Sequence, residues 1–208
     1  MPSRSLRTFW AIRPPDSVLG PVGDLVRRLR AHCQTLGLHV AWVSEESMHI
    51  TLKFLGNVAE TAIPAMVERV RHGLASLGLA SGPQLRLKGL AAFPSLVRPS
   101  VLFVGIDDQV ELLRDIQSAL EGWLEELGFA REARPFHPHL TLGRVREGRR
   151  PTPGPQERDL RALYPDYQET CGEPFVASEL TLYESRQGAA GMSYVPLAQV
   201  PLCGAGTH

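Results

Sequence analysis

HITLKFLG, residues 49–56, and HPHLTLGRV, residues 137–145, are the two stretches that decide how this chain folds. Each contains a histidine, one apolar residue, a threonine and a leucine in that order, and the two copies lie 90 residues apart. Apolar and polar residues alternate in both stretches, which is typical of a β-strand that is buried on one face. We therefore predict a strand over each copy of this H-x-T motif.

The two polar side chains of each motif are expected to project from the same face of their strand. Successive residues of a strand point to opposite faces, so His49 lies beside Thr51, and His139 lies beside Thr141. The apolar residues that alternate with them are expected to face the core: Ile50, Leu52, Leu140 and Leu142.

A histidine beside a threonine is suited to chemistry on a phosphate. Imidazole gains or loses a proton near neutral pH, and a threonine hydroxyl donates a hydrogen bond to an anionic oxygen. Two such pairs facing each other would hold a phosphate, with one imidazole activating water and the other protonating the leaving oxygen. Two copies of H-[IL]-T-L favour a shared catalytic role for the four polar residues: His49, Thr51, His139 and Thr141.

Strand and helix patterns alternate along the remainder of the chain. The segment RTFWAIRPP predicts a strand that stops at Pro14 and Pro15, and a helix begins at Asp16 with Asp16 or Ser17 as its N-cap. The apolar stripe of this helix is Val18, Leu19, Val22, Leu25, Val26 and Leu29. Further strands are predicted in LHVAWV, LRLKGLAAF, SVLFVGID, FVASELTLYES and MSYVPLAQVPL, the last two as a hairpin.

Two more helices are predicted. The first covers residues 60–77, with Pro64 near its first turn. The second runs from about Asp108 to Leu127, and its apolar face consists of Val110, Leu113, Ile116, Leu120, Trp123 and Leu127.

This order of elements indicates an α+β protein with largely antiparallel sheets and two similar halves. Each half contains a helix, strands and one H-x-T strand, which favours an internal duplication. Neither GxGxxG nor GxxxxGK[ST] occurs, so no glycine-rich phosphate loop is predicted. The polar stretch REGRRPTPGPQERD, residues 146–159, is predicted to be a surface loop.

Charge and cysteine content disfavour several classes of protein. Basic and acidic side chains number 22 each, so net charge gives no indication of a nucleic-acid coat protein, and an anion must be bound by a local arrangement. The cysteines, Cys33, Cys171 and Cys203, form no CxxC pair, which disfavours a disulfide framework or a structural zinc site. The N-terminus has no signal-like apolar segment, and no apolar run reaches the ~18 residues of a membrane span, so we expect a cytoplasmic protein.

The two motifs resemble the signature of the 2H phosphoesterase superfamily, which is named for paired H-x-T motifs. Within it the chain is similar to the RNA 2',3'-cyclic phosphodiesterases, also called 2'-5' RNA ligases. RTFWAI, FPSLVRPSVLFVGI and LYESRQGAAGMSYVPL follow the order typical of that family, so the resemblance extends from about residue 6 to 202. It implies one domain over 1–208, built from two interleaved lobes with pseudo-twofold symmetry and one motif per lobe around a central cleft.

The resemblance also implies an activity. The family hydrolyses 2',3'-cyclic phosphate ends of RNA to 2'-phosphomonoesters without metal or cofactor. By analogy His49 is the acid that protonates the 3' oxygen and His139 is the base that activates water, although the symmetry of the motifs allows the roles to be exchanged. RNA or an oligonucleotide with such an end is the expected partner, and a monomer is the expected state.

Two residues that follow the motifs are candidates for binding the phosphate. Lys53 lies four residues after His49, so an undistorted strand places its ammonium on the catalytic face. Arg144 matches the H-x-T-L-x-R pattern of the family, but regular alternation places it on the opposite face, so its role requires a twist or bulge. Where the family often has alanine, this chain has Gly143, and we expect that difference to leave catalysis intact.

Residues of the first strand could contact the remainder of the nucleotide. Arg7 and Phe9 share a face, where they could contact phosphate and stack on a base. A surface arginine beside a core phenylalanine is an equally good interpretation. His137 shares a face with His139 and is interpreted as a neighbour of the site.

Two alternatives differ in class. A zinc hydrolase could use His49, His137 and His139 as ligands, although no carboxylate accompanies either motif at a ligand spacing. A nucleotide or RNA-end binding module, or an enzyme that joins a 2',3'-cyclic end to a 5'-hydroxyl, would use the same cleft. Chelation and replacement of the two motif histidines would separate these alternatives.

Overall fold

Antiparallel strands form the centre of the fold. The computed structural model describes residues 4–146, 160–161, 172–188 and 191–203. Their strands are β1 (Ser5–Ile12), β2 (Val40–Trp42), β3 (Ile50–Ala59), β4 (Gln84–Phe93), β5 (Val101–Asp107), β6 (His139–Val145), β7 (Phe175–Val176), β8 (Glu179–Gly188) and β9 (Gly191–Pro201). Their helices are α1 (Asp16–Thr35), α2 (Ile63–Ser76) and α3 (Val110–Glu125), with short 3-10 turns at Glu45–Ser47 and Glu60–Ala62.

The strands follow one path in the order β7-β4-β5-β6-β3-β1-β8-β9, and β2 pairs with β6 beside this path. The path divides into two half-sheets, β3-β1-β8-β9 and β6-β5-β4-β7, which join where β3 meets β6. A single residue pair, Ile50 with Leu140, makes this junction. The expected α+β class and antiparallel pairing are confirmed, but the two expected sheets are joined into one.

The inward face of the strands packs against the helices in one core. The predicted apolar stripe of α1 is confirmed because all of its members are buried. In α3 the stripe stops earlier than predicted: Leu124 is buried, whereas Leu127 is 41% exposed. Asp108 has a φ of 65°, so this helix begins at Val110 and not at Asp108.

The ends of the first two helices differ in how well they were predicted. Pro64 lies in the first turn of α2, as predicted. The N-cap of α1 is Pro15, and no side chain caps the helix, so the prediction of Asp16 or Ser17 as N-cap is wrong. The polar segment over 147–159 and Cys171 lie outside the described residues.

Each H-x-T strand contains a β-bulge at the leucine that follows the threonine. In β3, Thr51 pairs with Ala11 and Lys53 with Trp10, so Leu52 is the extra residue. In β6, Thr141 pairs with Phe103 and Gly143 with Leu102, so Leu142 is the extra residue. The same irregularity at the same motif position agrees with two related halves.

The bulges reverse the predicted alternation beyond each threonine. Leu52 and Lys53 are consecutive and both buried, and the next side chain, Phe54, is 61% exposed. In β6, Leu142 and Gly143 are both buried, and Arg144 is exposed. A bulge leaves two neighbouring residues opposite one partner residue, and here both of them face the core. The residue that follows the bulge therefore lies on the same face as the threonine. Phe54 and Arg144 are therefore equivalent positions on the catalytic face.

Among the described residues, no helix is both long and apolar enough to cross a membrane.

The glycine in the second motif is required by the close approach of β2. A Cβ at Gly143 would lie 2.6 Å from Cγ1 of Val40 and 3.2 Å from the carbonyl oxygen of Ala41. We expect Gly143→Ala to lower the free energy of unfolding by about 1–3 kcal/mol, because valine is stiff and the second contact is backbone. Denaturant unfolding would measure this loss.

Gly20→Ala is the matched control, since Gly20 lies inside α1 and a Cβ there has nothing within 4 Å. That substitution is expected to raise stability by about 0.5–1 kcal/mol through helix propensity. Equal effects of the two substitutions on the free energy of unfolding would contradict the steric argument.

Candidate active site

The junction between the half-sheets brings the two motifs together. His49 directly precedes β3, and His139 is the first residue of β6. Because the strands are antiparallel and Ile50 faces Leu140, Thr51 lies next to His139, and His49 lies on the side of Thr141. We call His49, Thr51, His139 and Thr141 the tetrad.

The inward side chains of the same strands hold the tetrad in place. All four predicted core residues of the motifs are buried: Ile50, Leu52, Leu140 and Leu142. The tetrad itself is partly exposed, as the alternation predicts. Neither threonine hydroxyl has a hydrogen-bond partner among the residues that the structure describes, so both can donate to a ligand.

Both histidines are oriented by the same type of hydrogen bond. Nδ1 of His49 lies 2.8 Å from the carbonyl oxygen of Ser47, and Nδ1 of His139 lies 2.7 Å from the carbonyl oxygen of His137. A carbonyl can only accept, so Nδ1 carries the hydrogen in each ring and donates it. Nε2 is then the atom that takes up and releases a proton.

Aromatic rings enclose His49. The centroid of its ring lies 4.7 Å from that of Phe9, 4.9 Å from Tyr194 and 6.3 Å from Tyr183. These rings come from β1, β9 and β8 of its own half-sheet.

His139 has a smaller aromatic environment from the other half-sheet. Phe93 on β4 and Phe103 on β5 lie with their ring centroids 5.3 Å and 5.0 Å from it. Among the described residues, the two half-sheets thus provide comparable walls, with three aromatic rings around His49 and two around His139.

Burial lowers the pKa of both histidines, since a charged imidazolium is poorly solvated among aromatic rings. The pKa of His49 is lowered from 6.5 to about 4, chiefly by burial, with smaller contributions from His139 and Arg144, against the carbonyl of Ser47, which raises it. The pKa of His139 is also lowered, chiefly by burial and further by Arg144 and His137. Both imidazoles are therefore neutral at pH 7 in the ligand-free protein.

Arg144 lies close enough to both imidazoles to act on their protonation. It lines a cavity together with Thr51 and His139. The sequence analysis required a twist or bulge to bring Arg144 to the catalytic face, and the bulge at Leu142 is that irregularity.

Lys53 does not present a free charge on the catalytic face, so the prediction that its ammonium lies on that face is wrong. The bulge at Leu52 turns it inward, where it is 4% exposed. Its Nζ lies 2.5 Å from Oε2 of Glu121 on α3.

The other residues named from the sequence have different settings. Phe9 is 2% exposed and packs against His49, so its face is not open to a base. Arg7 is exposed two residues away along the same face of β1. His137 is exposed, and its carbonyl oxygen orients His139.

Phe54 is the candidate that the sequence analysis missed. Its exposed ring lies 5.8 Å from that of Phe9 and lines the cavity. The signal was present in the sequence, because Phe54 follows His49 by five residues as Arg144 follows His139.

A cavity of about 740 Å³ opens beside the tetrad on the side of His139. Its walls come from β3, β6, the turn after β4, helix α3 and the segment before β6. They consist of Thr51, Leu52, Lys53, Phe54, Phe93, Pro94, Ser100, Val101, Gln117, Glu121, Glu132, Arg134, Pro135, Phe136, His137, His139 and Arg144.

Within the described part of the chain, no three side chains of His, Cys, Asp or Glu come together as metal ligands. The zinc alternative requires such a group, and His49, His137 and His139 do not form one.

Sequence comparison relates this arrangement to known proteins. The family model of the 2'-5' RNA ligase superfamily matches residues 14–188. The chain belongs to this superfamily.

Known proteins and solved structures are similar to this chain over most of its length. A protein named RNA 2',3'-cyclic phosphodiesterase from Aeropyrum pernix is 38% identical over 128 residues, which span 62% of this chain and 69% of that protein. The crystal structure of TT0787 of Thermus thermophilus matches with a TM-score of 0.72 and 23% identity, over 96% of this chain and 100% of that one. E. coli LigT complexed with 3'-AMP matches with a TM-score of 0.68 and 21% identity, over 95% and 98%. The α+β fold that the resemblance implied is confirmed.

The burial of His49 has a measurable consequence for stability. Its pKa is about 4 when folded and 6.5 when unfolded, so between these values the unfolded chain binds more protons and stability falls as the pH is lowered. We expect the contribution of this histidine to lower the free energy of unfolding by about 2 kcal/mol when the pH falls from 7 to 5. Urea unfolding of the wild type and His49→Gln at both pH values would isolate the contribution. The same pH dependence in both proteins would contradict it.

Proposed function

We propose that this chain hydrolyses 2',3'-cyclic phosphate ends of RNA to 2'-phosphomonoesters. The observation that carries the proposal is the presence of two imidazoles at one strand junction, each with Nδ1 tied to a carbonyl so that Nε2 exchanges the proton. The name of the A. pernix relative supports the substrate class. We place the enzyme in the cytoplasm as a monomer, in line with the sequence analysis.

Binding of the phosphate is assigned to the threonines and Arg144. The hydroxyls of Thr51 and Thr141 donate hydrogen bonds to the two non-bridging oxygens, one from each half-sheet. The guanidinium of Arg144 offers a charge-assisted donor to the same anion. No cofactor is needed for this arrangement.

The reaction is a displacement at phosphorus. Water attacks in line with the P–O3' bond and gives a proton to Nε2 of His139, while Nε2–H of His49 protonates O3' as that bond breaks. The products are a 2'-phosphomonoester and a free 3'-hydroxyl. Exchange of one proton with solvent returns the two imidazoles to their starting states.

The environments of the two rings bear on this assignment. His139 is neutral at pH 7, as a base must be. His49 has its pKa lowered to about 4 in the free protein, so its protonated form must be stabilised by the bound phosphate. The near-symmetry of the tetrad leaves the exchanged assignment as the alternative.

The nucleoside attached to the reacting phosphate is assigned to the cavity. The space on the His49 side is filled by the rings of Phe9, Tyr183 and Tyr194, whereas the His139 side is open. Phe54 offers an exposed aromatic face there, on which any base can stack. The LigT structure complexed with 3'-AMP is consistent with a nucleotide in a cleft of this fold.

Joining of RNA ends is the second candidate, favoured by the name of the superfamily. A 5'-hydroxyl in place of water gives the same displacement and the same proton transfers. The reaction consumes a 2',3'-cyclic end and requires no nucleotide triphosphate.

Removal of either imidazole tests the function. An oligonucleotide with a 2',3'-cyclic phosphate end, incubated with the protein in EDTA, is expected to yield a 2'-phosphate. His49→Ala and His139→Ala should each lower kcat by about 10²–10⁴-fold, because each removes one proton transfer. Product analysis by chromatography and phosphorus NMR gives both the rate and the regiochemistry.

His72→Ala is the matched control, because His72 is exposed on α2. A 3'-phosphate product would refute the choice of leaving group. Activity that is lost in EDTA and restored by zinc would favour a metal enzyme.

The role of Phe54 is tested separately from the chemistry. Phe54→Ala is expected to raise KM for a 2',3'-cyclic nucleotide about tenfold, because stacking of one base is lost. Phe54→Tyr retains an aromatic face and should keep KM near the wild-type value. Steady-state kinetics with all four bases would measure both, and an unchanged KM in Phe54→Ala would remove this residue from the site.

A further inference from the structure

The buried ion pair between Lys53 and Glu121 is part of a larger hydrogen-bond network. Nζ of Lys53 lies 2.5 Å from Oε2 of Glu121 and 2.5 Å from the carbonyl oxygen of Ala130. Both charged side chains are almost fully buried. Lys53 therefore connects the bulged catalytic strand both to α3 and to the segment that follows α3.

Two further hydrogen-bonding groups close this network. Nε2 of Gln117 donates to Oε1 of Glu121 at 3.1 Å and to the carbonyl oxygen of Leu52 at 3.4 Å. The backbone N–H of Glu132 donates to Oε2 of Glu121 at 3.3 Å. The bulge residue, the helix and the segment 130–132 are thus held at one point.

The tied segment continues directly into the outer wall of the cavity. Arg134, Phe136 and His137 line this cavity together with Phe54 on β3. Residues 131–135 are exposed, and an exposed ion pair of Arg131 with Glu125 is their other tie to α3. The contacts of Lys53 and Glu121 at Ala130 and Glu132 fix where this wall starts.

Stability alone does not account for a buried pair at this place. Removing two charges from water is costly, and apolar side chains of similar size commonly give a fold that is equally stable or more so. What an apolar pair cannot supply is a donor to Ala130 and an acceptor for Glu132.

We propose that Lys53 and Glu121 are positioning residues that set the width of the nucleoside cavity and thereby the enzyme's affinity for nucleotide substrates. The proposal rests on the proposed function of the tetrad. Both side chains line the cavity, and neither belongs to the tetrad that is assigned to the phosphate. His49 and His139 have their own anchors at Ser47 and His137, and His139 also pairs with Gly105 on β5.

The test replaces both charges together. Lys53→Met/Glu121→Met approximately keeps the side-chain volumes and leaves no buried charge unpaired, so we expect the fold to be retained. Either single substitution would leave the other charge buried without its partner. We expect KM for a 2',3'-cyclic nucleotide to rise about tenfold. Hydrolysis of glycerol 1,2-cyclic phosphate, which has the reacting ring but no nucleoside, should change less than about twofold.

The control is Lys88→Met/Asp107→Met, which removes an exposed ion pair between β4 and β5. It should affect neither substrate. Amide hydrogen exchange should be faster over residues 130–137 in the Lys53/Glu121 variant than in this control, which reports the loosened wall directly.

Each outcome decides the proposal. A selective rise in nucleotide KM together with faster exchange over 130–137 supports it. An unchanged nucleotide KM, equal loss on both substrates or unchanged exchange over that segment overturns it. If the wild type hydrolyses neither substrate, the proposed function fails, and the exchange experiment still tests the positioning of the wall.

Discussion

The backbone pairing of Ile50 with Leu140 is the constraint on which the remainder of the site depends. It is the residue pair through which two half-sheets meet. Successive side chains of a strand point to opposite faces. When this apolar pair faces the core, the tetrad residues on either side of it must therefore face outward. A shift of one residue in this register would bury the polar face of one motif. The chemistry of the molecule is therefore specified by a contact between two residues that have no chemical role.

The environment of the tetrad combines desolvation with directed hydrogen bonds. Aromatic rings partly shield the imidazoles from water and make their charged forms costly, while one carbonyl per imidazole fixes the tautomer. The imidazoles of such a site are neutral when it is empty, and a bound anion favours their protonated forms because it compensates the charge that burial disfavours. Arg144 adds a fixed positive charge at the same place. In the proposed mechanism, phosphate binding and proton transfer would therefore have the same physical origin.

Regular alternation explains why the sequence predicted the strands, the inward leucines and the four tetrad residues. The prediction failed directly after the threonines, because leucine at a bulge is indistinguishable from leucine in regular alternation. Lys53 was assigned to the wrong face for that reason, and its partner Glu121 lies 68 residues away, beyond any local pattern. Phe54 was missed by the same error. Aligning the two motifs and requiring equivalent positions to share a face would have matched Phe54 with Arg144.

The order of strands also governs how the chain is made. Residues 84–145 supply β4, β5 and β6 in one continuous stretch, whereas β1 finds its second neighbour, β8, about 170 residues later. At the usual pace of translation β1 waits roughly 10 s or longer for that partner. During this interval the strand that contains Phe9 and Trp10 has an unpaired edge, which is the kind of surface that associates with other nascent chains. The half-sheet that encloses His49 is consequently completed only after β4, β5 and β6 of the other half-sheet have been synthesised.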